Sequence, residues 1–301
     1  MSSEIVPRIQ SAIMDMMEKV RRVDNGKNHG YERTLDGSKL AGVTEISSYA
    51  GFKEAKGWMP AWGAKEAVSS LGYFDRFEGE DHLADLQAAS EKLEIVKGLD
   101  VAGWLDLLTS AKGGYARKSD RAKDTGTEGH EYLERWTKAM IRKTDEPAVP
   151  EFSEEMASGI RAFAAWAKEN VSEFVLSEAR VAMPDEPYEY AGTLDALAIM
   201  KDGNPAVIDF KFADNVSISW PLQLVGYAET FRPYGIPVER RIALRFPKSS
   251  WLKKWDAKNR LYKKIPNTFE AIEYPSSRQQ FDFETFVHFR KTAKWVNAMV
   301  Q

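Results

Sequence analysis

Apolar side chains recur at helical spacing in the first part of the chain, which predicts that residues 1–125 are mostly helical. The first predicted helix covers residues 4–22, and its apolar positions are Ile9, Ile13, Met16, Met17 and Val20. A loop is expected after it because residues 26–37 contain Gly26, Gly30, Asp36 and Gly37. A short apolar and β-branched run follows at residues 40–49. Helical spacing then returns at residues 58–68 and 79–111.

Residues 111–123 change the pattern, since they hold two glycines and five basic residues against the single acid Asp120. This composition predicts an exposed, positively charged loop. Thr127 is predicted as the N-cap of the next helix, with an apolar stripe of Leu133, Trp136 and Met140. Ser153 is predicted to cap a further helix that ends near residue 170.

At residue 171 the hydrophobic period changes from 3.6 to 2, which is typical of strands. Residues 174–183, 188–200 and 206–212 are predicted strands, and their short proline- and glycine-containing connections favour an antiparallel meander. Residues 220–231 are predicted to be helical and 240–246 to form a fourth strand, with a connection long enough for a parallel crossover. The expected fold is therefore α/β, with a central mixed sheet flanked by helices.

Composition narrows the functional classes. The chain has 301 residues, 43% of them hydrophobic, and no apolar run reaches the length of about eighteen residues that spans a bilayer. The first residues carry Glu4 and Arg8 and lack the apolar segment of a secretory leader, so a soluble cytoplasmic protein is expected. Without cysteine there are no disulfides, thiolate metal sites or cysteine nucleophiles. The net charge of −3 confines nucleic-acid contacts to local basic patches.

Three charged residues on the predicted meander are candidates for chemistry. Asp195 lies on one strand, and Asp209 and Lys211 share a face of the next because side chains alternate along a strand. An ion pair that closes the sheet end is one interpretation. The other is a Mg²⁺ or Mn²⁺ site formed by both carboxylates and the backbone carbonyl of Phe210. Such a cation polarises a phosphate and lowers the pKa of a water, while Lys211 stabilises developing charge, which fits phosphodiester hydrolysis.

Four short motifs resemble those of the PD-(D/E)XK nuclease superfamily, and most closely its RecB-like branch, which includes phage exonucleases and the mitochondrial genome maintenance exonuclease. In chain order the motifs are Gly126–Thr127–x–x–His130, Gly192–x–x–Asp195, Asp209–x–Lys211 and Gln223–x–x–x–Tyr227. The resemblance covers residues 126–246. Residues 43–46 and 62–67 are also similar to the segment that precedes the core in the phage members.

The resemblance implies a role for each matching residue. His130 would be a metal-site residue, Asp195 and Asp209 metal ligands, and Lys211 the catalytic lysine. Gln223 and Tyr227 would support the site, and Glu178 on the first strand matches an acid often found there. The sequence departs from the family in having Leu194 where a proline usually precedes the first aspartate. It also lacks the four cysteines that hold an iron–sulfur cluster in some relatives, so no cluster is expected.

The resemblance further implies a restriction-endonuclease-like core at residues 126–246. Residues 1–125 would form a mostly helical cap that guides DNA, and residues 247–301 a basic and aromatic segment with a helix packed on the core. The implied activity is that of a Mg²⁺- or Mn²⁺-dependent deoxyribonuclease, an exonuclease acting in recombination, repair or phage DNA processing. A structure-selective endonuclease and an inactive DNA-binding module remain alternatives. Expected partners are DNA and a single-strand annealing or replication protein, with no membrane.

A basic segment lies beyond this core. Residues 248–264 contain seven basic residues and one acid, interleaved with aromatic residues. Lys253, Lys254, Trp251 and Trp255 are predicted to bind DNA, since lysines neutralise phosphates and aromatic rings stack on unpaired bases. The alternative is a solvated charged face whose aromatic residues pack on the core.

Overall fold

The computed structural model describes residues 2–25, 28–50, 90–91, 94–259 and 261–300. Two compact units are formed from segments that are discontinuous in sequence, rather than from three consecutive regions. The core unit comprises Met1–Phe52, Gly129–Lys248 and Phe269–Gln301. The second unit comprises Lys53–Glu128 and Ser249–Thr268.

An eight-stranded mixed sheet forms the centre of the core unit, in the order β1-β2-β3-β5-β6-β7-β10, with β4 paired to β5. The strands are β1 (Val20–Asn25), β2 (Asn28–Arg33), β3 (Lys39–Gly42), β4 (Val171–Met183), β5 (Tyr190–Met200), β6 (Pro205–Phe212), β7 (Arg240–Phe246) and β10 (Glu270–Tyr274). The predicted meander β4-β5-β6 is antiparallel, and β7 pairs in parallel with β6, as expected. The predicted mixed sheet is therefore confirmed.

Strand β5 has different neighbours along its two edges. One edge pairs with β4 over most of its length. The other edge pairs with β3 at residues 190–191 and with β6 at residues 196–199. Among the described residues no strand pairs with residues 192–195 on that second edge. Among the described residues, the second edge of β5 is therefore unpaired at Asp195.

Helices cover both faces of this sheet, as predicted. They are α1 (Ser2–Lys19), α2 (residues 43–50), α3 (Val101–Arg142), α4 (Glu154–Asn170), α5 (Trp220–Glu229) and α6 (Gln279–Val300). One apolar core lies between the sheet and α1, α2, α5 and α6 and includes Ile9, Val43 and Phe286. The other lies between the sheet and α3 and α4 and includes Trp136 and Phe163. Buried strands with apolar residues on both faces follow from this layering.

The N-terminal region differs from the sequence prediction in two places. The loop expected after the first helix is instead a hairpin of β1 and β2, because Val20 and Tyr31 are buried and its polar positions face solvent. The apolar run at residues 40–49 is divided between β3 and helix α2. Residues expected only in a helical cap therefore add three strands to the sheet.

The prediction of a basic loop at residues 111–123 is also wrong. Helix α3 runs without interruption from Val101 to Arg142, so Thr127 lies inside a helix and is not an N-cap. Glycine costs about 1 kcal/mol in a helix interior but does not break the helix as proline does, and α3 contains no proline. The prediction for α4 is confirmed, since Ser153 Oγ accepts a hydrogen bond from the Met156 amide at 3.4 Å.

In the second unit, β8 (Trp251–Asp256) and β9 (Leu261–Pro266) form a two-stranded antiparallel ribbon, called here the basic ribbon. The C-terminal segment expected at residues 247–301 is thus divided, because β10 and α6 belong to the core unit. Within the described part of the chain, no helix has the length and apolar character needed to cross a membrane.

Candidate active site

Three acids occupy one row across three neighbouring strands. The pairing of β4 with β5 places Glu178 opposite Asp195, and the pairing of β5 with β6 places Asp209 opposite Asp195. The β4–β5 ladder continues on both sides of this row and the β5–β6 ladder on one side, but neither ladder includes the row's own pairings. We call Glu178, Asp195 and Asp209 the acid row. Its position marks the place where β5 and β6 separate.

Local backbone irregularity accompanies the acid row. Glu178 has φ +49°, a left-handed conformation that is uncommon for a residue other than glycine. Asp195 Oδ2 accepts a hydrogen bond of 2.6 Å from the Phe210 amide. A side-chain carboxylate thereby binds a backbone donor at the point where the β5–β6 ladder has ended. Strained or irregular backbone of this kind is often found at functional sites.

Lys211 is fixed from two directions. Its Nζ lies 2.5 Å from Asp209 Oδ2 and donates a hydrogen bond of 2.7 Å to Gln223 Oε1. Phe210, between the two charged residues, packs in the apolar core on the opposite face. Asp209 is buried and the Lys211 side chain is 18% exposed, so the ammonium group has a defined position with limited access to solvent.

Gln223 presents its carbonyl oxygen to Lys211 because its amide nitrogen is bound elsewhere. Gln223 Nε2 donates to Tyr227 Oη at 3.1 Å and to Thr44 Oγ1 at 3.3 Å. Gln223 and Tyr227 are one turn apart on α5, and Thr44 lies in the first turn of α2. Gly192 makes room for this arrangement, since a Cβ there would lie 2.7 Å from the Tyr227 ring and 2.9 Å from Val43.

His130 reaches the acid row from α3, on the other side of the sheet. Its Nδ1 is 3.7 Å from Asp195 Oδ2, and its ring lies edge-on to Phe212 with centroids 5.2 Å apart. The preceding Gly129 permits this approach, because a Cβ there would overlap the Phe212 ring. The helix can therefore lie close enough to β6 for the imidazole to contact the carboxylate.

Burial shifts the pKa values of Asp195, Glu178 and His130. It raises the pKa of Asp195 well above its ordinary range, and the nearby Asp209 charge raises it further. Burial and the charge of Glu134 raise the pKa of Glu178 to about 7. Burial lowers the pKa of His130, against the opposing attraction of Asp209. Asp195 and Glu178 of the acid row therefore hold protons more tightly than free carboxyl groups do, and a nearby cation would favour their ionised forms.

The donor set fits a small divalent cation. Among the described residues no three His, Asp or Glu side chains converge as a ready-made metal cage. Mg²⁺, however, is usually held by one or two carboxylates, with waters and substrate phosphate as its other ligands. Asp195 and Asp209, coupled electrostatically at the end of the ladder, can supply these two carboxylates.

Two residues of this site had no role assigned to them from the sequence. Thr44 binds Gln223, and Glu134, one helical turn after His130, acts on Glu178 through its charge. Glu134 also pairs with Lys138. Helical periodicity identifies Glu134 as a neighbour of His130, whereas Thr44 is separated from Gln223 by 179 positions and had only the similarity of residues 43–46 to indicate it. Residues 62–67 lie outside the described residues.

The predicted DNA-binding residues all lie on the basic ribbon of the second unit. Trp251, Lys253 and Trp255 occupy alternate positions of β8 and share one face. Lys254 lies on the opposite face, in register with Lys263. Lys254 therefore lies on a different face of the ribbon from the other three predicted DNA contacts.

No protein-family model and no curated protein matches this sequence. Solved structures that resemble it at low identity include the following three. The crystal structure of SSO0001 is 15% identical with a TM-score of 0.27, over 57% of this chain and 75% of that chain. An alkaline exonuclease, LHK-Exo from Laribacter hongkongensis, is 10% identical with a TM-score of 0.26, over 56% and 84%. The LHK-Exo complex with dAMP is 11% identical with a TM-score of 0.25, over 56% and 82%.

Proposed function

We propose that this chain is a divalent-metal-dependent deoxyribonuclease of the PD-(D/E)XK type. We further propose that it is an exonuclease acting at DNA ends or on single strands during recombination, repair or phage DNA processing. The observation that carries the proposal is the acid row at the end of the β5–β6 ladder, beside a lysine held by Asp209 and Gln223. An ion pair that only closes a sheet end has no use for two further acids in the same row.

Each residue has a role that its contacts support. Asp195 and Asp209 would hold the cation, with the Phe210 carbonyl as a third ligand and His130 beside Asp195. The cation, Mg²⁺ or Mn²⁺, supplies charge neutralisation at the phosphate and a lowered pKa for the attacking water. Lys211 orients that water or stabilises the charge that develops on the phosphate oxygens.

The supporting residues keep Lys211 in place. Gln223 accepts from the ammonium group, and its own orientation depends on Thr44 and Tyr227. A lysine with four flexible side-chain torsions gains a fixed position only through such partners. Glu178, protonated near neutral pH because of burial, can bind or release a proton at the edge of the site.

The test is cleavage of end-labelled DNA. Linear single-stranded and duplex substrates, labelled at the 5′ or 3′ end, are incubated with Mg²⁺, with Mn²⁺ and with EDTA beside closed circular DNA. We expect metal-dependent release of mononucleotides or short products from linear DNA and no cleavage of the circles. Cleavage of closed circles would favour the endonuclease alternative. Intact DNA under every metal condition would contradict the proposal and favour an inactive DNA-binding module.

A further inference from the structure

The two faces of the basic ribbon differ in composition. Its register pairs Trp251 with Pro266, Lys253 with Lys264 and Trp255 with Tyr262 on one face, called here the aromatic face. The opposite face carries Leu252, Ile265 and Lys254, and there Lys263 pairs with Asp256 at 3.1 Å. The aromatic face therefore carries two aromatic rows, one with Trp251 and one with Trp255 and Tyr262. The lysine pair Lys253 and Lys264 lies on the same face.

The order of side chains on the aromatic face is aromatic, basic, aromatic. The lysine row lies between Trp251 and the Trp255–Tyr262 pair, which are about 13 Å apart along the strand. Trp255 and Tyr262 have ring centroids 5.0 Å apart, and Trp255 is 51% exposed. Lys264 Nζ lies 4.6 Å from the Trp251 ring centroid, and Lys253 Nζ lies 5.8 Å from that of Tyr262. The ammonium groups are thus held beside the rings.

We infer that the aromatic face of the basic ribbon binds single-stranded DNA. A single strand alternates π-faces with phosphates, so it can stack bases on both aromatic rows while a phosphate lies at the lysine row. Bases in a duplex are already stacked on one another and do not offer these faces. Compared with the four residues predicted from the sequence, the inferred DNA contacts include Tyr262 and Lys264 and exclude Lys254. The inference deepens the proposed function by naming its substrate class, and it rests on that proposal only for the choice of DNA.

The test compares two adjacent lysines that face opposite ways. Binding of a fluorescent oligothymidylate and of a matched duplex is measured by anisotropy in EDTA, at several salt concentrations, with full-length protein. We expect Lys253→Gln and Lys264→Gln each to weaken single-strand binding several-fold and to reduce the log–log salt slope by about 0.7. Lys254→Gln, an exposed lysine on the opposite face, is expected to bind within about twofold of wild type.

A second pair of variants tests stacking. Trp255→Ala is expected to weaken single-strand binding about tenfold and duplex binding much less, and Trp255→Phe should recover most of the loss. Equal losses for Lys253→Gln and Lys254→Gln, unchanged affinity in the aromatic-face variants, or equal effects on duplex would each overturn the inference. Because EDTA prevents metal-dependent cleavage, this result is independent of whether the protein hydrolyses DNA.

Discussion

Lysine occupies two different settings in this molecule, one beside the acid row and one on the basic ribbon. Lys211 is 18% exposed and bound by Asp209 and Gln223, so its ammonium group has one position. Lys253 and Lys264 lie on an exposed ribbon between aromatic rings. A charge that must act on a reacting atom needs fixed partners, whereas a charge that tracks a flexible polyanion needs access. We therefore expect burial and exposure, more than residue type, to separate a lysine that takes part in chemistry from lysines that bind DNA.

The strongest test of this division is Asp195→Ala. It removes a carboxylate from the acid row, so we expect cleavage to fall below detection with Mg²⁺ and with Mn²⁺. DNA affinity in EDTA should persist or increase, because negative charge is lost near the phosphate. The two measurements are end-labelled cleavage and anisotropy. A variant that loses affinity and cleavage together would show that the regions do not divide the work in this way.

Lys211→Ala should have the next largest effect. It removes a positive charge but no metal ligand, so we expect turnover to fall about 10²–10³-fold. Metal binding measured by calorimetry should survive. Lys201→Ala, which changes an exposed lysine in the turn before β6, is the matched control and should cleave like wild type. Loss of metal binding in Lys211→Ala would instead make the lysine a structural element of the site.

His130→Ala tests whether the α3 side of the sheet contributes to the site. The imidazole contacts Asp195, so its loss should reduce cleavage about 10–100-fold. Because imidazole favours Mn²⁺ over Mg²⁺, the ratio of the rates with the two metals should change as well. The control is His288→Ala, at an exposed position of α6. Wild-type rates with both metals would assign His130 to packing against Phe212.

Gly192→Ala addresses the packing behind Lys211. The added Cβ would lie 2.7 Å from the Tyr227 ring, so we expect the free energy of unfolding to fall by about 1–3 kcal/mol. Displacement of Tyr227 should also release Gln223 and lower turnover. Thermal unfolding and cleavage are measured beside Gly30→Ala, where a Cβ meets nothing within 4 Å. Equal melting temperatures in the two variants would disprove the close contact.

A further variant tests Glu178 through the pH dependence of stability. Burial raises its pKa from 4.5 to about 7, so below pH 4.5 it is protonated in both the folded and the unfolded chain. Between these values the unfolded chain ionises first, and the free energy of unfolding falls as pH rises, by up to about 3 kcal/mol. Glu178→Gln should therefore be more stable than wild type above pH 7 and equal to it below pH 4.5, in thermal unfolding with EDTA. A pH-independent difference would contradict the raised pKa.

The sequence predicted the centre of the fold better than its edges. Strands β4 to β6 are apolar runs joined by short turns, and Ser153 is a clear helix cap, so local signals suffice there. The β1–β2 hairpin and the uninterrupted helix α3 were missed because glycine-rich sequence suggests loops, while tertiary contacts and helix continuity decide the outcome.

In the candidate site, too, local sequence patterns predicted contacts between near neighbours in the chain but not contacts between distant segments. The i, i+2 spacing of Asp209 and Lys211 and the i, i+4 spacing of Gln223 and Tyr227 bring each pair together through local geometry. Thr44 reaches Gln223 only through the packing of α2 against α5, which no local period encodes. For the basic ribbon, composition predicted a DNA-binding segment without distinguishing its two faces. The strand register assigns Lys254 to the face opposite Lys253.

Hydrolysis at the acid row would depend on the Asp209 carboxylate, so it is tested by the Mg²⁺-dependent cleavage rate of Asp209→Asn. This change keeps the size of the side chain and removes the negative charge that pairs with Lys211. The reference is Asp145→Asn, the same substitution at an exposed position in the segment between α3 and α4. We expect no detectable cleavage of linear DNA by Asp209→Asn and a wild-type rate for Asp145→Asn. A wild-type rate in Asp209→Asn would contradict hydrolysis at the acid row.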